Sequence, residues 1–211
     1  MRAVLLIAAL LAGLPVPARA QNLGTLEGQW PAQDIEELRV HFPVGELIFE
    51  AGVASEIRAE LGVRCRHGGS SCVERSKKLR LVTHVAGRTR YLDLEGMPKF
   101  GSHGLEVTLR IAVPKTLAVD AEMGVGDFRA DGIAGDLRVE LGVGDVTVLA
   151  REAGVKSVNL TVGIGDATLS HGGSSQAVSG LLGRKVRWSD GVGAARVSVE
   201  LGVGDIAVRL D

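Results

Sequence analysis

The six-residue stretch ELGVGD at residues 140–145 decides the fold of this chain, because it recurs along the sequence. It returns as EMGVGD at 122–127, as TVGIGD at 161–166 and as ELGVGD at 200–205. A shortened copy, ELGV, lies at 60–63. Self-similarity with a period near 20 residues indicates a repeat architecture. We therefore expect the fold to be built from one repeated unit.

Strand-like segments flank the copies of this motif. Residues 137–141 and 197–201 alternate apolar and polar side chains before two copies, and residues 146–148 and 206–208 do so after them. Alternation with a period of two is typical of a half-buried strand. The predicted unit is a strand, a glycine-rich bend, a second strand and a turn. One such unit cannot bury its apolar face alone, so it must stack on its neighbours.

The spacing of the copies predicts the domain organisation. Counted from Gly124, the intervals between the first glycines are 18, 21 and 39 residues, so the long interval predicts a coil that has lost the motif. The Ser- and Gly-rich segment 170–180 predicts a loop. The predicted fold is all-β: an elongated β-solenoid, or β-helix-like stack of short strands with Gly-rich bends. We expect a signal peptide at 1–20, an N-terminal leader at 21–34 and a single repeat domain at 35–211, with clear repeats over 117–211.

The first 20 residues have the pattern of a secretory signal peptide. Arg2 gives a basic start, residues 4–14 are apolar, and Ala18-Arg19-Ala20 forms a cleavage site. The apolar run is too short to span a bilayer, and no later stretch reaches that length. We expect cleavage after Ala20 and a mature chain without a transmembrane segment, in the periplasm, at the cell surface or secreted.

Composition and charge narrow the class of partner. Glycine accounts for 29 of 211 residues and aromatic residues for only 3%, which suits thin layers of small β-formers between tight turns. The chain has 24 Lys and Arg; without Arg2 and Arg19 it has 22, which against 25 Asp and Glu gives a net charge of −3. So balanced a charge argues against nucleic acid as a partner. No motif predicts a cofactor.

The motif itself predicts a structural turn. Two glycines around one apolar residue allow positive φ or close backbone approach, with the valine expected to point inward. The final aspartate is expected to accept hydrogen bonds from backbone N–H groups two residues further on. The predicted turn residues are Gly124, Gly126, Asp127, Gly142, Gly144, Asp145, Gly163, Gly165, Asp166, Gly202, Gly204 and Asp205.

Two functional alternatives attach to the acidic residues of the motif. The four aspartates could form a calcium-binding ladder, but each copy offers one carboxylate, whereas calcium needs six to eight oxygens. Glu60, Glu122, Glu140 and Glu200 precede the bends and could supply a glycosidase-like carboxylate pair. No pair stands out from the others, so we predict neither a metal site nor catalytic residues.

Cys65 and Cys72 are the only cysteines of the chain. An even number in an exported protein predicts a disulfide that closes the short loop 66–71. A metal pair with His67 is the alternative, but a zinc site needs about four ligands.

Residues 57–90 form a basic stretch. Only Glu60 and Glu74 oppose its nine cations, so its local charge is +7. It predicts either a solvated hairpin or a site for anionic lipid or glycan. The nine are Arg58, Arg64, Arg66, Arg75, Lys77, Lys78, Arg80, Arg88 and Arg90, of which Arg64, Arg66, Arg75, Lys77, Lys78 and Arg80 are the candidate anion ligands.

The phrase Val113-Pro114-Lys115, a following strand and the Gly-Val-Gly-Asp copies resemble the bacterial putative-adhesin β-strand repeat family, also called the toastrack domain. The resemblance covers roughly residues 35–211. It implies an all-β, solenoid-like stack in envelope proteins, and it brings no catalytic residues with it.

The expected function is that of a non-catalytic scaffold or adhesin-like interaction module in the cell envelope. A protein partner, or a second copy, would dock on a flat strand face or on the terminal coil, residues 205–210, which is expected to have an open edge. The alternatives are a binder of anionic lipid or glycan through residues 57–90 and, with least support, a carbohydrate-active enzyme.

Overall fold

The computed structural model describes residues 21–66, 69–97, 104–180 and 183–211, so the expected signal peptide lies outside the described residues. Within those ranges the chain forms thirteen strands, one α-helix, α1 (Ser70–Ser76), and a 3-10 turn at Glu152–Gly154. The strands are β1 (Gln21–Pro31), β2 (Glu37–Gly52), β3 (Glu56–Cys65), β4 (Arg80–Ala86), β5 (Thr89–Glu95), β6 (Leu105–Pro114), β7 (Ala118–Asp131), β8 (Leu137–Ala150), β9 (Val155–His171), β10 (Ser174–Gly180), β11 (Arg184–Trp188), β12 (Ala195–Val203) and β13 (Ile206–Leu210). The all-β prediction is confirmed.

Long bent strands in parallel form the centre of the sheet. Each of β2, β7, β8 and β9 runs through a bend, which divides it into an entry arm and an exit arm; β12 and β13 are the two arms of a fifth such rung. The copies of the motif stand side by side in register, with Val125 opposite Val143 and Val143 opposite Val203. The repeats therefore stack motif on motif.

The order of rungs in the stack differs from their order in the chain. The sequence β2, β7, β8, β12/β13, β9 places the last rung between β8 and β9. The simple solenoid, in which each coil follows its predecessor, is therefore not what the topology shows. The predicted open edge at residues 205–210 is also wrong, because β13 pairs with β8 on one side and β9 on the other.

Antiparallel strands close the stack beyond β9. Strand β11 pairs with the entry arm of β9 and β10 with its exit arm. The 39-residue interval thus holds two strands, β10 and β11, that each run antiparallel to β9, rather than a parallel coil without its motif. The loop predicted at 170–180 is wrong for the same reason, since its small residues form the end of β9, a tight turn and β10.

At the other end, β2 is covered by β5 on its entry arm and by β6 on its exit arm, both parallel. Strand β3 runs antiparallel to β6, β1 antiparallel to β3, and β4 antiparallel to β5. Residues 21–31, set apart above as part of a leader, thus contribute a strand to the sheet. The ELGV copy at 60–63 lies in antiparallel β3 and is not a rung of the parallel stack.

The core follows from the alternation within each arm. In β7, Val119, Ala121 and Met123 of the entry arm and Phe128 and Ala130 of the exit arm are buried, and they belong to one hydrophobic core. At roughly 25 cal/mol for each Å² of apolar surface removed from water, this repeated inner layer is the main favourable contribution to folding. The polar residues between them face outward, so the outside of the stack carries rows of equivalent side chains.

Candidate interaction site

Both glycines of the motif are required by the close approach of neighbouring rungs. A Cβ atom on Gly144 would lie 1.8 Å from the carbonyl oxygen of Gly126, and one on Gly142 would lie 2.5 Å from that of Gly124. Gly144 also has a φ of +138°, which residues with a Cβ rarely adopt. The second position thus requires glycine both for its conformation and for the close contact, and the first position requires it for the close contact alone. The predicted turn residues lie at the bends.

The first copy of the bend was not recognisable from the repeated motif. Val44, Gly45 and Glu46 of β2 stand opposite Val125, Gly126 and Asp127, and Gly45 has a φ of +132°. Proline replaces the first glycine and glutamate the aspartate, which hides the match. The signal that finds it is the dipeptide Val-Gly followed by an acidic residue.

The central apolar residue of the motif points outward, so the prediction that it points inward is wrong. Val125 is 48% exposed, Val143 46%, Val203 42% and Ile164 47%. The reason is a break in the alternation: Leu141 and Val146 are both buried although they are five positions apart. Strict alternation cannot place both inside. Val143 is out of phase with Leu141 and in phase with Val146, so the alternation is interrupted within the bend that Gly142 and Gly144 form. The odd separation of two core residues is visible in the sequence.

The result is a row of apolar side chains along the bends, four of them exposed and Val44 half-buried. In stack order its members are Val44, Val125, Val143, Val203 and Ile164. Neighbouring rungs lie about 4.8 Å apart, so the row is about 19 Å long. Scattered exposed valines are ordinary, but a contiguous row marks a surface suited to binding.

Carboxylates stand on both sides of this apolar row. On the exit side the aspartate row contains Glu46, Asp127, Asp145, Asp205 and Asp166. On the entry side the glutamate row contains Glu122, Glu140 and Glu200, with His41 and Thr161 at its ends. We call the apolar row with its two flanking rows the acidic ridge.

The aspartates connect the rungs. The backbone N–H of Asp205 donates to Oδ1 of Asp145 at 3.1 Å, and the N–H of Asp166 donates to Oδ1 of Asp205 at 3.0 Å. Each acceptor thus serves the equivalent residue of the next rung, not an N–H group two residues further along the chain. Neighbouring carboxylates therefore lie close to one another, and hydrogen bonds from the backbone offset their repulsion.

Cations do little to neutralise the ridge. Among the described residues, Glu140 alone of its eight carboxylates forms an ion pair, with Arg138. No group of three or more His, Cys, Asp or Glu side chains in the described part of the chain could hold a metal ion. The ridge therefore presents a concentration of negative charge around exposed apolar side chains.

A second charged network lies on the outer face of the entry arms. Asp120 stands between Arg39, at 3.5 Å, and Arg138, at 4.0 Å. Burial raises the pKa of Asp120; the two arginines oppose this rise, while Glu37 and Glu140 add to it. Hydrogen bonding to Glu37 raises the pKa of Arg39, and hydrogen bonding to Glu140 raises that of Arg138. The network ties β2, β7 and β8 together.

The structure divides the basic stretch among several elements. Arg58 pairs with Glu56 at 2.6 Å, Arg66 with Glu106 at 2.7 Å, Lys77 with Glu74 at 2.7 Å and Arg88 with Glu36 at 2.5 Å. Of the candidate anion ligands, Arg64 and Arg66 lie on or directly after β3, Arg75, Lys77 and Lys78 in or after α1, and Arg80 on β4. Four of the nine cations thus have acidic partners.

Arg90 is withdrawn from solvent. Its side chain is buried, its Nε has no hydrogen-bond partner among the described residues, and its guanidinium lies 5.8 Å from the centre of the Trp30 ring. Burial lowers its pKa from the ordinary arginine value. This cation packs between elements of the fold and is not offered to a ligand at the surface.

Cys65 and Cys72 form a disulfide between β3 and α1, and both are buried. Cys72 lies in a short helix that the sequence analysis did not predict, α1, which begins at Ser70. His67, the candidate metal partner, lies outside the described residues.

An open groove of about 880 Å³ lies beside the first two bends. Its walls carry Arg64, Arg66 and Arg110 together with Glu46, Glu60, Glu106 and Asp127. Arginines and carboxylates are interspersed there, and Arg66 is paired with Glu106. Such mixed charge does not favour an anionic ligand over a cationic one.

Comparison with known proteins identifies a solved structure that shares this fold. No protein-family model and no curated protein sequence matches the chain. A solved structure of a putative cell adhesion protein from Clostridium sporogenes is similar, at 16% identity and a TM-score of 0.58, over 90% of this chain and 100% of that one. A putative adhesin from Bacteroides fragilis matches at 11% identity and a TM-score of 0.23, over 88% and 97%. The first similarity shows a shared fold, in agreement with the resemblance found in the sequence.

The described residues contain no helix with the length and apolar character needed to cross a membrane.

Proposed function

We propose that this protein is an exported, non-catalytic interaction module of the cell envelope, built on a solenoid-like scaffold and acting through the acidic ridge. The observation that carries the proposal is the contiguous row of half-exposed apolar side chains, Val125, Val143, Val203 and Ile164, on conformationally restricted bends. Exposed apolar rows with polar rims are typical of protein-binding surfaces. A backbone held by rung-to-rung hydrogen bonds loses little entropy on binding.

Three further observations support an envelope role. Residues 1–20 have the pattern of a secretory signal peptide. The Cys65–Cys72 disulfide suits an oxidising compartment. The fold is shared with a protein described as a putative cell adhesion protein. The carboxylates of the ridge recur along the stack without one distinguished pair, which favours binding over catalysis.

Binding of anionic lipid or glycan has less support. Four of the nine cations between residues 57 and 90 pair with carboxylates, and Arg90 is buried. Of the remaining candidates, Arg75, Lys78 and Arg80 would provide only a small patch around α1, and Arg64 lines the groove of mixed charge.

Site-specific photo-crosslinking in intact source cells tests the proposal. A photoreactive amino acid at Val143, on the ridge, is expected to give a discrete adduct with another protein. The matched control is the same amino acid at Val192, which is 89% exposed but lies off the ridge. An absence of adducts at position 143, or the same adducts at both positions, would overturn the proposal.

The expected export has a test of its own: N-terminal sequencing of the exported protein is expected to begin at Gln21.

A further inference from the structure

The charge of the acidic ridge restricts what can cover its apolar row. Eight carboxylates flank the five apolar side chains, and Arg138 is the one cation paired with them among the described residues. A second copy that docked through the same ridge would bring its own carboxylates against them, and such like-charge contacts cost several kcal/mol. An anionic membrane is disfavoured for the same reason. A partner with an apolar centre and cations on both sides would complement the ridge.

The spacing of the row restricts the shape of that partner. Rungs repeat about every 4.8 Å. On an α-helix, residues three and four apart are separated by about 4.5 and 6.0 Å along the axis, so an apolar stripe at i, i+3, i+7 and i+10 advances about 5 Å per step and keeps pace with the row. Same-face residues of an extended strand are about 6.7 Å apart and fall out of step. A helix of about 13 residues would cover the row of about 19 Å.

We infer that the acidic ridge binds an amphipathic helix of a partner protein whose apolar stripe is flanked on both sides by Lys or Arg. This inference rests on the proposed function and specifies the partner chemistry of the same surface. The apolar stripe would cover Val125, Val143 and Val203, while the cations would face the aspartate and glutamate rows. Binding by long-range attraction and short-range apolar contact should weaken as salt screens the charges.

A synthetic helical peptide of about 14 residues, composed of Leu and Lys with the leucines in one stripe, is the probe. Its binding to the purified exported protein can be measured by fluorescence anisotropy at two salt concentrations. A scrambled peptide of the same composition lacks the stripe, and a Leu/Glu peptide reverses the charge. We expect the striped Leu/Lys peptide to bind at least tenfold more tightly than either control peptide.

The structure supplies variants that should leave the fold intact. Glu122, Asp127 and Glu200 form no hydrogen bond or ion pair through their side chains among the described residues, so the triple variant Glu122→Gln, Asp127→Asn, Glu200→Gln removes charge alone. It should bind the striped peptide at least tenfold more weakly. A second triple variant, Val125→Ser, Val143→Ser, Val203→Ser, should do the same with all charges kept. Circular dichroism confirms that each variant is folded.

Controls away from the ridge complete the test. Glu27→Gln, Glu95→Gln, Asp190→Asn removes the same charge elsewhere, and Val192→Ser removes an exposed valine elsewhere; neither should change the affinity. Equal binding of striped and scrambled peptides, or full binding by the serine variant, would overturn the inference. If the peptide fails to bind while Val143 still cross-links in cells, only the partner chemistry is wrong. If cross-linking also fails, the proposed function fails with it.

Discussion

At the scale of the residue, the two glycines of each motif are required for different reasons. Gly144 has a positive φ and no room for a Cβ beside the carbonyl of Gly126, whereas Gly142 has an ordinary φ but no room for a Cβ beside the carbonyl of Gly124. The same two glycines turn Val143 outward by interrupting the alternation between Leu141 and Val146. One local conformation thereby both closes the rung and creates the apolar row of the acidic ridge.

Glycine substitutions should separate these two requirements. Gly144→Ala is expected to lower the free energy of unfolding by about 3 kcal/mol or more, because a strained φ costs on the order of 1–3 kcal/mol before the clash is counted. Gly142→Ala, with a 2.5 Å contact and no strained φ, should cost less. The control Gly154→Ala meets nothing within 4 Å and should stay within about 0.5 kcal/mol. Urea denaturation measures all three; equal losses would refute this explanation.

Alanine substitutions should reveal which valines point outward. Val143→Ala is expected to change the stability by less than about 0.5 kcal/mol, because its side chain is half in solvent. Val139→Ala, four residues earlier in the same strand and fully buried, should cost about 2 kcal/mol. Thermal or urea unfolding distinguishes the two, and a comparable loss for both would show that Val143 is a core residue after all.

At the scale of the element, adjacent rungs are joined by more than the backbone ladder. The aspartate of one rung accepts the N–H of the next, and the outer face carries the network of Arg39, Asp120 and Arg138. The two hydrogen bonds of Asp205 link strands that are distant in the chain, so they test the observed order of rungs.

Removal of the Asp205 carboxylate tests the link between β9 and the last rung. Asp205→Ala should destabilise the protein by about 1 kcal/mol, since the N–H of Asp166 loses its acceptor. Asp205→Asn keeps an acceptor oxygen and should lose less. Asp127→Ala is the matched control, because the Asp127 carboxylate accepts no hydrogen bond within the described residues. If Asp127→Ala costs as much as Asp205→Ala, the cross-rung bond contributes nothing.

Asp120 should give the stability a pH dependence. Its raised pKa means that the folded state binds a proton more readily than the unfolded state, so the natural protein gains stability as the pH falls through the folded pKa towards the ordinary value of 3.8. Asp120→Asn lacks this gain. The variant should therefore be at least as stable as the natural protein at pH 7 and lose that advantage as the pH falls.

Urea unfolding between pH 7 and about pH 4 would measure this difference. Asp131→Asn is the control, because Asp131 is paired with Arg129 at 3.7 Å but is 53% exposed. A variant of Asp120 that is less stable at neutral pH, with a deficit that shrinks on acidification, would show that the arginines outweigh burial.

At the scale of the whole molecule, the C-terminal rung lies inside the stack. Strand β13 joins β8 to β9, and strands that pair on one side only, such as β10, stand at the border. An inserted last rung means that β8 and β9 contact each other through β12 and β13. The last residues of the chain are thus needed to complete the sheet.

Hydrogen exchange should reveal this arrangement. The N–H groups of β13 are expected to be protected as strongly as those of β8, because β13 has a partner strand on each side. Those of β10, which pairs only with β9, should exchange faster. Mass spectrometry of peptides covering residues 146–150, 174–180 and 206–210 provides the measurement. Fast exchange throughout 206–210 would mean that the last rung lies at an edge.

The sequence by itself determined most of the strands, the bends that carry the full motif and the all-β class. Alternation with a period of two and glycines at fixed positions are local properties, and they hold wherever a rung is placed. The same local information contained the outward turn of Val143, in the odd separation of Leu141 and Val146, although simple alternation predicts the reverse. The disulfide also follows from composition, since the chain offers only Cys65 and Cys72.

Only the tertiary structure decided which rung lies beside which. The motif copies are almost identical, so any copy can pair in register with any other, and no local pattern distinguishes β9 from β13 as the neighbour of β8. The pairing of the strands also revealed the hidden copy at Val44, the antiparallel borders of the sheet and the division of the basic stretch among several elements. The acidic ridge depends on it too, because rows of valines and carboxylates exist only where separate rungs are stacked.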